Sequence, residues 1–378
     1  MTLRTALSDL LGIEYPIVQS GMGGVAGPEL AAAVSEAGGL GILGGLLKTA
    51  GQLRDEIRRV RALTARPFGV NLWLHRELRP PVPAHSIADA TLARAQGALN
   101  AFRARLGLPP STARPAPPPD LIAEAFQVIL DERAPVWSTV FGPPDRAMID
   151  ECHRRGIAVI AMVATAEDAR TVVAQGCDAV VAQGSEAGGH RATFAKPASP
   201  ETGAIGSMAL IPQIVDAVSV PVIAAGGIAD GRGLVAALAL GAAGILMGTR
   251  FVATRESTAA EAWKKSLLER DGDSTTVTDV FTGLWARALR NRFTEEYRAS
   301  GAPTLPTLWQ AAVARDISAA AIAAGDRDYF PMWSGQGVGL LHNLPGAGEV
   351  VETVVREARA TLDSLAARAG SAGQPRPD

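Results

Sequence analysis

The 378-residue sequence predicts an α/β protein, a (β/α)8 TIM barrel with extra helical segments covering the barrel mouth. Three observations predict it: eight short apolar segments, amphipathic helices between them, and glycine-rich or polar residues where several of the apolar segments end. The expected strands are Pro16–Ser20, Leu40–Leu43, Phe68–Leu74, Val136–Phe141, Ala158–Val163, Ala179–Gln183, Val222–Ala225 and Gly244–Gly248. Most are continuous apolar runs rather than alternating ones, as suits strands buried on both faces of a parallel sheet. A doubly wound open sheet is the competing arrangement of the same units.

The segments between the strands carry helix punctuation. Pro28 sits at the start of a helix that stops before Gly38-Gly39. Thr165 caps a helix ending before Gly176, and Ser207 another with Leu210, Ile211, Ile214, Val215 and Val218 on one face. Asp230 opens a helix that stops at Gly241. Two connections are oversized. Residues 75–134 hold two helices around a Pro-rich loop, Pro109 to Pro119, and the loop from Gly184 to Gly206 lacks regular periodicity. Long excursions at one end of a barrel often cover an active site. After Phe251 the pattern reads as helical to about Ala324, followed by an aromatic-Gly loop, Tyr329 to Leu341, and a last helix from about Gly348 to Ala367. The expected organisation is a barrel over residues 1–252, a C-terminal helical region over 253–367 packing on it, and a disordered tail over 368–378.

Composition narrows the function. With 36 Lys+Arg against 38 Asp+Glu the net charge is −2, which leaves no basic footprint for nucleic acid. Hydrophobic residues at 47% and charged residues at 20% exclude a wholly disordered chain. Two cysteines exclude a disulfide scaffold and suggest a reducing compartment. The N-terminus has no signal-peptide core, and the longest apolar run, Gly233 to Gly248, is broken by Gly241 and falls short of the ~20 residues of a membrane span. A cytoplasmic protein is the expectation, with oligomeric state unknown.

Barrel enzymes place their chemistry at the C-terminal ends of the strands, and often bind phosphate after the seventh and eighth. Here those ends read Ser20-Gly21-Met22-Gly23-Gly24, Asn71, Gln183 through Gly188-Gly189-His190, Gly226-Gly227-Ile228 and Met247-Gly248-Thr249-Arg250. Gly226-Gly227 and Gly248-Thr249 offer bare backbone N–H groups, with the Thr249 hydroxyl as a further donor, so they are the candidate phosphate site. Asn71 and Gln183 are amides in apolar strands and need partners, either a planar heterocycle with mixed donors and acceptors or the neighbouring loops. His190 lies at a strand end beside the phosphate site, as an acid/base or hydrogen-bond donor. Arg191 attracts an anionic substrate or forms a surface salt bridge.

Other motifs fail on context. Gly21 to Ala26 fits G-x-G-x-x-A, but no acidic residue stands at the end of the second strand, Gly41 to Gly45, so a dinucleotide fold is rejected. Cys152-His153 and Cys177 lack zinc spacing, and the five histidines are scattered, so no metal is expected.

Four segments resemble the nitronate monooxygenases, formerly called 2-nitropropane dioxygenases: Pro16-Ile17-Val18-Gln19, Phe68-Gly69-Val70-Asn71, Ala182 through Glu186-Ala187-Gly188-Gly189-His190-Arg191, and Ala224 through Gly226-Gly227-Ile228-Ala229-Asp230-Gly231-Arg232-Gly233. The resemblance continues through Gly248-Thr249-Arg250-Phe251, Ala286 to Phe293 and Trp333-Ser334-Gly335-Gln336-Gly337. It implies a TIM barrel, non-covalent FMN, and His190 as the catalytic residue. It implies FMN contacts at Gly21, Met22, Asn71, Gln183, Gly188, Gly189, Gly226, Gly227, Met247, Gly248, Thr249 and Arg250. The implied chemistry is oxidative denitrification, in which an alkyl nitronate gives an electron to FMN, O2 enters, and a carbonyl compound and nitrite leave. Gly21 stands where these enzymes usually carry Pro before the Met, and Ala192 where Gly is common. The wider group contains FMN-dependent enoyl-acyl-carrier-protein reductases, so an NAD(P)H-dependent oxidoreductase is the alternative within it. A flavin-free barrel binding a phosphorylated ligand is the alternative outside it.

Overall fold

The computed structural model describes residues 3–78 and 81–371. Among the described residues eleven strands occur in chain order: β1 (Ile17–Gln19), β2 (Gly41–Gly44), β3 (Phe68–Trp73), β4 (Val136–Val140), β5 (Ala158–Val163), β6 (Ala179–Gln183), β7 (Gly189–His190), β8 (Val222–Ala225), β9 (Gly244–Met247), β10 (Thr275–Thr278) and β11 (Ala286–Leu289). Eight of them form one parallel sheet in the order β1-β9-β8-β6-β5-β4-β3-β2, and these are the eight strands expected from the sequence.

The sheet closes between β1 and β2. Leu40 N–H donates to the Ile17 carbonyl and Gln19 N–H to the Leu40 carbonyl, both at 2.9 Å. The fully buried Gln19 side chain extends that seam, accepting from Ile42 N–H at 3.0 Å and donating to the Ile42 carbonyl at 3.2 Å. An amide is suited to this position because it offers a donor and an acceptor, as a backbone unit would. The interior holds Val18, Ile42, Val136, Ile160, Val181, Ile223 and Leu246, together with Leu7 and Leu11 from the N-terminal helix Ala6–Leu11. Burying apolar surface is the main stabilising term, at roughly 25 cal/mol per Å².

Helix punctuation follows the sequence in most places. Pro28 is the first residue of the helix Pro28–Glu36. Thr165 accepts from Asp168 N–H, and Asp230 accepts from Arg232 and Gly233 N–H. Ser207 is a correction. The cap position is Gly206, and the Ser207 N–H and hydroxyl are both taken by the Glu186 carboxylate at 2.9–3.0 Å. A carboxylate is the stronger partner for a helix N-terminus, and it arrives from a loop 21 residues away.

The region after Phe251 also departs from expectation. It is not helical throughout, because β10 and β11 pair antiparallel and β11 pairs antiparallel with β7. The last helix, Ala347–Ser371, lies in the outer ring of the barrel, with Val350, Val351, Val354, Val355 and Ala358 in the layer between strands and helices. It packs on the helix Gly231–Ala239, where Glu357 accepts from Gly231 N–H at 3.0 Å. The remaining C-terminal segments share a second core with the helix Asp89–Arg105 of the 75–134 insertion. There the buried Arg103 donates to Asp316, Gln96, Asn100 and the Val313 carbonyl. The expected tail begins inside the last helix, which runs to Ser371, and its remainder lies outside the described residues. Among the described residues no helix is long and apolar enough to cross a membrane.

Candidate active site

The C-terminal ends of the barrel strands open into one cavity of about 260 Å³. Of the residues singled out in the sequence, Gly21, Met22, Asn71, Gln183, Gly188, Gly189, His190, Gly226, Gly227, Gly248 and Thr249 line it. Met247 and Arg250 do not. Met247 packs into the layer between strands and helices, opposite Gln19 in the β1–β9 register. Arg250 is buried and donates to the carbonyls of Ala253 and Asn343 at 2.8 Å, so its guanidinium holds two loops together. Burial pushes it down to about 10.

The glycine pairs form the floor at one end. Gly226 and Gly227 have φ of +111° and +72°, conformations that L side chains rarely adopt, so only glycine turns the backbone here without strain. The short helix Thr249–Val252 starts directly after Gly248. Thr249 Oγ1 accepts from Gly335 N–H at 2.9 Å, which leaves the hydroxyl proton to be donated elsewhere. Gly188 is required for a different reason. A Cβ there would stand 2.4 Å from Gly335 N, so glycine is what allows the strand-end loop and the Trp333–Gly337 loop to touch.

The two amides have loop partners. Asn71 donates to the Ser138 hydroxyl at 3.0 Å and to its carbonyl at 3.3 Å. Gln183 donates to the His190 carbonyl and accepts from Ala192 N–H, each at 2.8 Å. Gln183 therefore clamps the backbone on both sides of His190. Pairing of His190 with Ala286 in β7 and β11 fixes the other edge.

His190 itself sits in an aromatic cage. Its ring centroid lies 4.7 Å from Trp73, 4.8 Å from Trp333 and 6.1 Å from Phe141. Nε2 is 2.8 Å from the Thr282 hydroxyl. Burial pushes the ring down from 6.5 to about 3, with the nearby His75 adding to the shift. The imidazole is thus neutral at physiological pH. Arg191, the next residue, donates to the Gly184 carbonyl at 3.4 Å and does not line the cavity. Cys152 and Cys177 are buried away from the cavity, and burial pushes both thiols up to about 12.

Sequence reasoning missed Trp73, Phe141 and Thr282 and left Trp333 without a role. Trp73 is legible in the sequence, because in a strand residues two apart share a face and Asn71 stands two positions before it. Phe141 holds φ of +74°, an outlier for a bulky residue and invisible in the sequence. Thr282 had no local signal, since it lies 92 residues from its partner. Thr282→Val is expected to lower turnover about 10-fold with flavin content unchanged, and Thr282→Ser to restore it, because only the hydroxyl orients the ring. Steady-state kinetics on the two variants checks this. Equal turnover by the valine variant would give Thr282 a packing role only.

Comparison with known proteins gives the family and the fold. A profile of the family described as nitronate monooxygenase matches residues 4–357. A probable nitronate monooxygenase of Staphylococcus haemolyticus is 39% identical over 337 residues, covering 89% of this chain and 92% of that protein. Among solved structures, nitroalkane oxidase from Streptomyces ansochromogenes superposes with a TM-score of 0.85 at 36% identity, covering 96% of this chain and all of the other, 100%. FabK from Thermotoga maritima superposes at 0.76 with 32% identity, covering 97% and 100%. The chain folds as a (β/α)8 barrel enzyme and belongs to the nitronate monooxygenase family.

Proposed function

We propose that this protein binds FMN at the barrel mouth and uses it to convert alkyl nitronates and O2 to a carbonyl compound and nitrite. The observation that carries the reading is that the glycine pairs and the caged His190 line one cavity. The glycine turns at Gly226-Gly227 and the helix start at Gly248-Thr249 fit a phosphate, through backbone N–H groups and the Thr249 hydroxyl. The buried indole N–H of Trp263, also on the cavity wall, has no protein partner and suits an acceptor on a bound group. Bound FMN would supply the electron acceptor that no side chain of the cavity provides.

The role of His190 follows from its state. A neutral, weakly basic imidazole suits hydrogen bonding to a nitronate already formed better than it suits abstraction of an α-proton from a nitroalkane. The aromatic cage keeps water from the head of the substrate, which strengthens that hydrogen bond. Preformed nitronates are therefore the expected substrates, in preference to the neutral nitroalkanes.

The test is the visible spectrum of the purified protein under anaerobic titration with an alkyl nitronate. Prompt bleaching of a yellow flavin supports the proposal. An unchanged yellow spectrum that bleaches with NAD(P)H moves the function to the reductase alternative, and a colourless protein that binds no FMN removes the flavin. A location in the cytoplasm is part of the same reading.

A further inference from the structure

We propose that Trp333–Gly337 is a positioning strap that ties His190 to the phosphate end of the cavity, with the Thr249 hydroxyl as its anchor. Given the reading of His190 as the residue that meets the nitronate, on which this rests, five residues connect the two ends of the site. At one end the Trp333 ring lies 4.8 Å from that of His190. In the middle Gly335 N–H donates to Thr249 Oγ1 at 2.9 Å, and Gln336 N–H donates to the Glu186 carbonyl at 2.9 Å. At the other end Gly337 lies against Gly227, where an added Cβ would stand 3.1 Å from the Gly227 carbonyl oxygen.

Pairing along β11 explains why Trp333 meets His190. Ala286 pairs with His190 in β7, and Ala288 bridges to Trp333, both antiparallel. Positions two apart in a strand share a face, so both partners are carried to one face of β11. Ser334 N–H donating to the Arg287 carbonyl at 3.3 Å and Leu289 N–H to the Met332 carbonyl at 2.9 Å continue the pairing. Beyond it the strap leaves the sheet and backbone meets backbone. A Cβ on Gly335 would stand 2.8 Å from the Glu186 carbonyl oxygen and from Gly188 N, and so would lift the strap. Among the described residues, Thr249 supplies the one side-chain hydrogen bond from the barrel to the strap backbone.

The Thr249 oxygen holds the strap while its proton is left for the proposed phosphate, so a single hydroxyl serves both ends of the site. Without that oxygen the Gly335 N–H has no acceptor, and an unpaired donor loosens the strap. Trp333 then covers the imidazole for less of the time, and water reaches the ring. The other groups packed on the ring, Trp73, Phe141 and Thr282, do not titrate near neutral pH. His75 packs near Phe141, with ring centroids 6.0 Å apart, and burial lowers it too. Arg191 and Arg287 are turned to the Gly184 and Ser185 carbonyls, Asp279 is paired with Lys196, and Glu77 accepts from Thr307 N–H. Hydration of the ring is thus the change that a loosened strap makes. It raises the imidazole from about 3 toward its ordinary 6.5.

The experiment follows the His190 ring by NMR in the full chain as purified, with FMN in excess and histidine labelled with carbon-13. His190→Ala identifies its signal among the five histidines. In the wild-type protein that signal should not titrate between about pH 5 and 8. Thr249→Val keeps the shape and removes the oxygen. It should bring the midpoint up into that window and lower kcat on an alkyl nitronate about 10-fold. Gly335→Ala, which leaves the Thr249 hydroxyl in place, should do the same, and Thr249→Ser should behave as the wild type. Trp333→Phe should cost about 10-fold in kcat, and adding Thr249→Val to it should cost little more, because both act through one contact; independent losses would multiply to about 100-fold. An unchanged His190 titration in Thr249→Val overturns the inference, and so does the multiplied loss. Should Gly335→Ala fail to fold, the valine and serine variants of Thr249 decide alone. A wild-type protein that turns over no nitronate overturns denitrification, and the titration still decides the strap.

Discussion

Replacing His190 with alanine is expected to lower kcat/KM for an alkyl nitronate by about 10²- to 10⁴-fold while leaving flavin content at the wild-type level. The size follows from where the ring sits. Three aromatic side chains hold it, Thr282 fixes one nitrogen, and Gln183 and β11 fix its backbone, so alanine removes a hydrogen-bonding group that the fold positions on every side. The glycines proposed for the phosphate are at the other strand ends and keep their geometry in the variant. Flavin absorbance against protein concentration checks the second half of the expectation, and oxygen consumption checks the first. Turnover like that of the wild type would remove His190 from the mechanism.

The same ring sets a pH signature. Its folded-state pKa is depressed from 6.5 to about 3, so the working form is neutral at every pH above that range. The pH profile of kcat/KM should therefore show no inflection near 6.5 that disappears in the His190→Ala variant. Stability moves in the other direction. Between about 3 and 6.5 the unfolded chain binds a proton at this position and the folded chain does not. The contribution of neutral His190 is thus complete above 6.5 and is lost as pH falls toward 3. His75, also lowered by burial, acts with the same sign. Denaturant midpoints measured from pH 7.5 down to 4.5 should fall, and less steeply when His190 is replaced.

Gly248→Glu is expected to yield a folded protein that loses FMN, with affinity reduced by about 100-fold or more. Gly248 is the informative glycine because it does not need its conformational freedom. Its φ is −104°, and an added Cβ would make ordinary contacts with Met22 Sδ at 3.7 Å and Ser20 Cβ at 3.8 Å. Gly226, by contrast, has φ +111° and a Cβ there would meet Ser207 Oγ at 3.0 Å, so a substitution would report strain as well as charge. At Gly248 the carboxylate enters the cavity beside the Thr249 helix start. Two unit charges about 4 Å apart repel by roughly 4 kcal/mol at an effective dielectric of 20. Gly248→Ala is the control and should stay yellow. A glutamate variant with full flavin content would move the phosphate away from this turn.

Much of this was legible in the residues. Most of the eight barrel strands announced themselves as apolar runs, because a strand buried on both faces can carry little else. Eleven of the thirteen site candidates line the cavity, since a parallel barrel sends every strand's C-terminal end to one face whatever the details of packing. Met247 and Arg250 are the instructive exceptions. They are adjacent to Gly248-Thr249 in sequence, but alternation and a helical turn send their side chains elsewhere, into the helix layer and onto Asn343.

What the sequence determined by itself, then, is the repeating unit, the barrel and the set of residues at its mouth, because periodicity and glycine placement are local properties of the chain. What only the tertiary structure decided is the setting of His190. Trp73, Phe141, Thr282 and Trp333 reach it from four distant segments, and its neutral state comes from their combined burial. The hairpin of β10 and β11 was hidden for the same reason, being stabilised by pairing with two residues almost a hundred positions earlier. The final helix takes its place in the barrel ring by packing on the helix Gly231–Ala239, more than a hundred residues earlier in the chain. Each of these depends on contacts between residues far apart in the chain, and no window along the sequence contains both partners.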